Sequence, residues 1–313
     1  MTAVRLATFN VENLFARWKF DANVDPDEAI EDGWAVDKTK FDRYSDADKE
    51  ITGEAIRALK ADVLALQEVE NVDTLKHFRG DYLGGPSKYP YVAGIDGNDP
   101  RLIDVVVMSR LPIVAVRSNQ HLKTPGNARS ELFSRDCLEV TIATPDDGRL
   151  LLFVQHFKSM MGGRKQTRER RVVQAQAVKR IVEERLGPSP GDHPFAILGD
   201  FNDYLEDGDG TTTAIDDLVG WDQVENVVTR RPADDQWTHY YKQGGGEYRQ
   251  LDYLLLSSSL AQASPAAPEI MRKGMPLRAT KYTGPRFDKI GRDRPKASDH
   301  CPVVMDVLVP KGG

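Results

Sequence analysis

Phe195-Ala196-Ile197-Leu198-Gly199-Asp200-Phe201-Asn202-Asp203 is the stretch on which the reading of this chain turns. Its first four residues form a short apolar run, as in a buried strand, that passes straight into polar residues. Side chains alternate along a strand, so Asp200 and Asn202 are expected to project to the same side, two positions apart. A carboxylate beside a carboxamide at the mouth of a sheet suits a phosphate and a hard metal ion. Loop ends beyond a rigid sheet are also where catalytic groups tend to sit. By itself the phrase reads equally well as a plain exit from strand to turn, because Asp and Asn are common turn residues.

Four other phrases repeat the arrangement. The chain opens on Arg5-Leu6-Ala7-Thr8-Phe9-Asn10-Val11-Glu12-Asn13, an apolar strand that ends in polar groups, with Asn10 and Glu12 two apart. Asp62-Val63-Leu64-Ala65-Leu66-Gln67-Glu68-Val69 ends on an amide and a carboxylate, and Gln250-Leu251-Asp252-Tyr253-Leu254-Leu255-Leu256 places Asp252 at the head of a very apolar strand. Ser298-Asp299-His300 precedes Cys301-Pro302-Val303-Val304, which puts an Asp-His pair before the last strand. Five apolar strands that each carry an acid, amide or imidazole at one end fit a shared site better than chance punctuation.

In order, Phe-Asn-Val-Glu-Asn, Gln-Glu-Val, His-Phe-Lys-Ser (156–159), Gly-Asp-Phe-Asn, Leu-Asp-Tyr and Ser-Asp-His make a chain that resembles the endonuclease/exonuclease/phosphatase superfamily, with its DNase I-like fold, from Leu6 to Val304. The spacing and the His156 phrase look most like its bacterial nuclease-like members. The resemblance implies two β-sheets packed face to face, with helices on both outer faces: an α/β fold of four layers. The residues agree, because strands apolar on both faces need cover on both faces. Helices are expected over Asp48–Leu59, Val72–Phe78 and Thr167–Leu186, and strands include 103–108, 138–144, 150–155 and 302–309.

Phosphodiester hydrolysis needs an activated water, neutralised phosphoryl oxygens and a stabilised leaving oxygen. Glu68 is the first choice as metal ligand, with Asn10, Glu12 and Asp299 as further candidates; hard oxygen donors suit Mg²⁺ or Mn²⁺. The resemblance assigns His156 and His300 to the scissile phosphate and has Asp252 orient His300. In the preferred scheme Asp200 positions the water, Asn202 and His156 bind phosphoryl oxygens, and His300 acts with Asp252. Glu131 or Asp136 is expected to orient His156, and the spacing does not choose between them. Lys158, Arg135, Arg164 and Lys165 are candidate substrate contacts, and His239 either lines the substrate groove or packs with its aromatic neighbours.

Composition sets the outer limits. The 313 residues, 40% hydrophobic and 29% charged, suit one enzyme domain spanning 1–313. No apolar run reaches the roughly 18 residues of a spanning helix, and the N-terminus enters a strand at once, which gives the expectation of a cytoplasmic protein with no membrane contact. Cys137 and Cys301 are expected as buried free thiols. No oligomer is indicated.

Two segments depart from the compact pattern: an acidic insertion at about 21–50, and a basic loop at about 272–296 that leads into Ser298-Asp299-His300. A basic loop beside the site would attract a polyanion even though the net charge is −6, since a local patch decides that; the other reading is a solvated surface loop. The leading expectation is a metal-dependent nuclease acting on nucleic acid. The rivals are a phosphatase or phospholipid phosphodiesterase of the same superfamily and, less favoured, a non-catalytic polyanion-binding module.

Overall fold

The inner-facing positions of two β-sheets organise the molecule. The computed structural model describes residues 1–16, 18–20, 41–43, 46–206, 211–243 and 246–312. Most of the acidic insertion, 21–40 and 44–45, lies outside them.

The chain runs β1 (Thr2–Leu14), β2 (Trp18–Phe20), β3 (Phe41–Arg43), α1 (Asp46–Leu59), β4 (Val63–Val69), α2 (Val72–Tyr82), β5 (Tyr91–Gly94), β6 (Asp104–Ser109) and β7 (Ile113–Arg117). It continues with β8 (Lys123–Thr124), β9 (Asn127–Glu131), β10 (Leu138–Ala143), β11 (Arg149–His156), α3 (Arg164–Leu186), β12 (Phe195–Asp200), α4 (Asp216–Val219) and β13 (Val224–Asn226). The last elements are β14 (His239–Tyr241), β15 (Glu247–Arg249), β16 (Asp252–Ser257), α5 (Ser258–Ala263), β17 (Glu269–Ile270) and β18 (Val303–Val309).

The principal sheets have six strands each, ordered β17-β18-β1-β4-β6-β5 and β13-β16-β12-β11-β10-β7. Between them lies a core that takes Val4, Leu6, Val63 and Ala65 from the first sheet and Leu152, Val154, Ala196, Leu198, Leu254 and Leu256 from the second. The alternate residues face outward. Phe9, Leu64 and Leu66 pack under Ile56 and Leu59 of α1 and Leu75 and Phe78 of α2. Phe153, Phe195 and Ile197 pack under Ala175, Val178 and Val182 of α3. The four layers expected from the sequence are therefore present, and each fully buried aliphatic side chain contributes about 1.5–3 kcal/mol. No helix among the described residues is long and apolar enough to cross a membrane. Cys137 and Cys301 are buried free thiols.

The helices exceed their sequence expectations: α1 begins at Asp46, α2 runs on past Phe78 and α3 begins before Thr167. α2 starts behind Asn71, whose side chain accepts the Thr74 N–H (2.8 Å), and runs on to Tyr82. α3 begins three residues before Thr167, behind Gly163. Its first turns are held by a buried cluster: Asp203 receives Arg164 Nε on one oxygen (2.7 Å) and Arg171 Nε on the other (3.0 Å). Arg164 also donates to the carbonyls of Tyr204, Glu206 and Thr211. The cluster ties α3 to the loop leaving β12. Asp203→Asn should cost on the order of 3–5 kcal/mol, since it leaves two buried guanidinium groups without their counter-charge. Chemical denaturation is the check, and a loss below about 1 kcal/mol would show that the arginines are held by the carbonyls instead.

Candidate active site

The two inner faces stay apolar along the strands and turn polar at one end. On β11, β12 and β16 the inner positions finish with His156, Asp200 and Asp252, which are paired in register across three neighbouring strands. On the facing sheet Leu6 and Thr8 lead to Asn10, and Ala65 leads to Gln67, which donates to Thr8 Oγ1 (3.1 Å). Asn10 crosses the gap between the sheets: its Nδ2 donates to Asp200 Oδ2 at 3.0 Å and to Glu68 Oε1 at 3.2 Å. Alternation alone explains this convergence.

Three residues break the alternation. Glu12 (φ 48°), Glu68 (φ 64°) and Asn202 (φ 51°) all have left-handed backbone. By strict alternation Glu68 would face the helical layer, as Leu64 and Leu66 do. The irregular pairing between Gln67 and Val69 turns its carboxylate to Asn10 instead, 3.8 Å from His156 Nε2. Asn202 turns back on Asp200: its N–H donates to Oδ1 (2.8 Å), and its Nδ2 to Oδ2 (2.9 Å) and to the Phe157 carbonyl (3.2 Å). Asp200 and Asn202 do meet, but through a turn and not through strand periodicity. With its Nδ2 so engaged, Asn202 orients Asp200.

Asp200 Oδ2 is the meeting point, 3.5 Å from His156 Nε2 and 3.9 Å from His300 Nε2. His300 Nδ1 lies 2.9 Å from Asp252 Oδ2. Both partners are anchored: the Asp252 N–H donates to Thr238 Oγ1 (3.0 Å), and the His300 N–H to Ser298 Oγ (3.0 Å), which itself donates to the Asn10 carbonyl.

The charges sort by environment. Burial opposes a charge on His300, but Asp252 and Asp200 outweigh it and hold the imidazole protonated well above its ordinary range. His156 goes the other way, pushed well down by burial and by the Arg135 guanidinium, and is neutral. Asp200 is pushed up to about 7 by burial and by Asp252, against the pull of His300. Glu68 is raised by burial and by Asp299. A half-buried carboxylate raised by burial and by Asp299, beside an amide, is a donor set that a hard divalent cation would relieve, so Glu68 and Asn10 fit Mg²⁺ or Mn²⁺.

A family model described as Endonuclease/Exonuclease/phosphatase family matches residues 5–305. The chain belongs to that family. Its members are hydrolases acting on phosphoester bonds. Among solved structures, a family protein from Bacteroides thetaiotaomicron is 16% identical with a TM-score of 0.60, covering 98% of this chain and 97% of its own. The human Nocturnin catalytic domain with bound sulfate anion is 15% identical (TM-score 0.59; 98% and 95% covered). D. rerio TDP2 complexed with single strand DNA product is 16% identical (TM-score 0.59; 98% and 100% covered). At these identities the likeness carries the fold. No curated protein matches.

Within this family fold, several sequence-predicted residues stand elsewhere than expected. Glu12 is engaged by donors of its own chain: Arg294 Nη2 (2.6 Å) takes one oxygen, and Lys296 Nζ (2.7 Å) and the Asp299 N–H (2.9 Å) take the other. Asp299 is half-buried beside Lys296. Arg135 and Arg164 are both buried on partners within the protein. Arg135 is buried behind the site on Asp99 (3.0 Å) and the Phe157 carbonyl, and Arg164 belongs to the Asp203 cluster. Lys158 follows His156 by two residues and is half-buried, whereas Lys165 is exposed on the first turn of α3.

His239 packs on His300, with ring centroids 4.5 Å apart, and is pushed down to about 3 by burial and by the His300 charge. Neither Glu131 nor Asp136 contacts His156, whose Nδ1 has no hydrogen-bond partner among the described residues. Glu131 pairs with Lys123, and Asp136 accepts the Asn119 N–H. Sequence reasoning gave no role to Thr238, or to Ser298 beyond its place in the Ser-Asp-His phrase, and it read Lys296 only as one cation of a basic loop.

Asp252→Asn tests the electrostatic assignment. In the intact protein the His300 imidazole should titrate well above 6.5, and the variant should move that titration downward, as followed by imidazole NMR. An unmoved titration would show that Asp252 does not hold the charge.

Proposed function

We propose that this chain is a divalent-metal-dependent phosphodiesterase that cleaves nucleic acid by attack of water on phosphorus. The supporting observation is the placement of Asp200 Oδ2 within 4 Å of a neutral imidazole and a cationic one, next to Glu68 and Asn10. Asp200, raised to about 7, takes the proton of the attacking water. His300, already protonated, is a poor base and donates a hydrogen bond to a phosphoryl oxygen. Asp252 keeps that proton in place. Neutral His156 offers a further hydrogen bond to the phosphoryl group, and Lys158 adds positive charge nearby. An Mg²⁺ or Mn²⁺ ion held by Glu68 and Asn10 would polarise the phosphoryl oxygens and neutralise their charge.

Nucleic acid as substrate is supported by a cleft of about 280 Å³ beside the site, lined by Tyr240, Tyr241, Lys242 and Gln243 together with Glu12 and Asp299. Tyr241 is 48% exposed there and offers a face on which a base can stack. The basic loop contributes less than its composition promises. Arg272 pairs with Asp235, Arg278 with Asp293, Lys289 with Glu50, and Arg294 with both Glu12 and Asp48. This internal pairing favours contact with a short stretch of chain, and it also supports the second reading, a phosphatase or phosphodiesterase for small phosphoesters.

Purified protein should hydrolyse both a single-stranded oligonucleotide and bis(p-nitrophenyl) phosphate with Mg²⁺ or Mn²⁺, and chelator should abolish both activities. Asp200→Ala or His300→Ala should lower kcat by about 10²–10⁴-fold with the fold intact, and Glu68→Gln should raise the metal concentration required. Near-normal turnover in any of these variants would overturn the site assignment. Tyr241→Ala separates the substrates. It should raise KM for the oligonucleotide and leave the small diester unchanged, whereas equal KM values in variant and parent would favour the small-phosphoester reading.

A further inference from the structure

We propose that the Lys296 ammonium stands in for a second divalent cation, so that Glu12 and Asp299 hold no metal and the chain works with one ion, at Glu68. The inference rests on the phosphoesterase reading above and specifies its metal requirement. Lys296 lies two residues before Ser298 and its side chain is only 10% exposed. Its Nζ is 2.7 Å from Glu12 Oε2 and 3.8 Å from Asp299 Oδ2, so one positive charge is set between two carboxylates. The backbone holds it there: the Lys296 N–H donates to Asp48 Oδ1 (2.8 Å), and Arg294, two residues earlier, grips Asp48 and the other Glu12 oxygen. The Asp299 N–H closes the arrangement on Glu12 Oε2.

Mg²⁺ and Mn²⁺ need free carboxylate lone pairs, and the Glu12 oxygens accept three donors. Without the ammonium, the Glu12 Oε2 oxygen and the Asp299 carboxylate would face each other beside His239 and His300 with only Arg294, on the other Glu12 oxygen, for counter-charge, which is a condition that recruits a cation. An ammonium is a compact point charge well suited to that place. It also borders the cleft that carries Tyr241, so it presents a fixed positive charge to an anionic substrate at any metal concentration.

The test counts bound Mn²⁺ per chain from the electron paramagnetic resonance of the free ion, in the parent protein and in Lys296→Met, Glu12→Gln, the double variant and Glu68→Gln. Lys296→Met should bind one more ion than the parent, the double variant should lose that extra ion, and Glu12→Gln alone should match the parent. A Lys296→Met count equal to the parent's, or a Glu12→Gln count one lower, would overturn the proposal. Should Lys296→Met fail to fold by circular dichroism, the comparison of Glu12→Gln with the parent decides. Glu68→Gln reports on the underlying reading separately: an undiminished count there rejects the Glu68 site, while the increment on removing Lys296 still reads the second position.

Discussion

The hydrogen bond from Asn10 to Asp200 joins the two sheets at the point where their shared core stops. Below it the space between the sheets is filled by aliphatic side chains; above it, every inward position on the central strands is polar. Asp200 depends on this contact because burial disfavours its charge, and the donors from Asn10 and Asn202 compensate part of that cost. Asn10 in turn holds Glu68 and, through its carbonyl, the Ser298 hydroxyl that positions His300. Asn10 thus links Glu68, Asp200 and the segment that holds His300. A change in the spacing of the sheets would alter all three together.

Such a site is expensive to hold. Left-handed backbone at Glu12 and Glu68 costs on the order of 1–3 kcal/mol each, against a net domain stability of about 5–15 kcal/mol. Asn202 is a cheaper case, since Asn tolerates that conformation well. Strain of this size persists only where the surroundings impose it. At Glu68 the imposing element is the irregular pairing with β6, flanked by fully buried Leu66 and Val69. The return is direction: the carboxylate faces the imidazoles, where regular strand geometry would have turned it under the helices.

Much of this was legible in the sequence for a local reason. A strand that alternates toward a core, then ends on an acid, amide or imidazole, can be read one segment at a time, and five such segments specify both the sandwich and the end at which its site lies. The pairing of Asp252 with His300 followed from the family resemblance, and the structure brings the two side chains to 2.9 Å. What stayed hidden depends on distant neighbours. Nothing near Arg164 in sequence shows that Asp203 and three carbonyls enclose it, so it read as a phosphate contact. The turn at Glu68 has no glycine or proline to announce it. The basic run before Ser298 read as a polyanion track because the acids that face it come from far away, Asp48 and Glu50 in α1, Asp235, and Glu12 at the end of β1.

That redistribution of charge bears on how the site meets a substrate. A loop of free cations would favour long polyanions with a strong dependence on salt, since each neutralised phosphate releases counterions. Here Arg272, Arg278, Lys289, Arg294 and Lys296 pair with acids of the same chain, and two of them, Arg294 and Lys296, close on Glu12 at the lip of the site. On the proposed reading, positive charge near the substrate comes from the His300 imidazolium, Lys158, the lysine wedged between two carboxylates, and Lys242 and Arg294 at the cleft. Recognition on that reading would centre on one phosphate and its immediate neighbour, with Tyr241 offering a flat face in place of further charge. The acidic net charge of the protein is consistent with this economy, because a site that binds through a few fixed groups needs no basic surface around it.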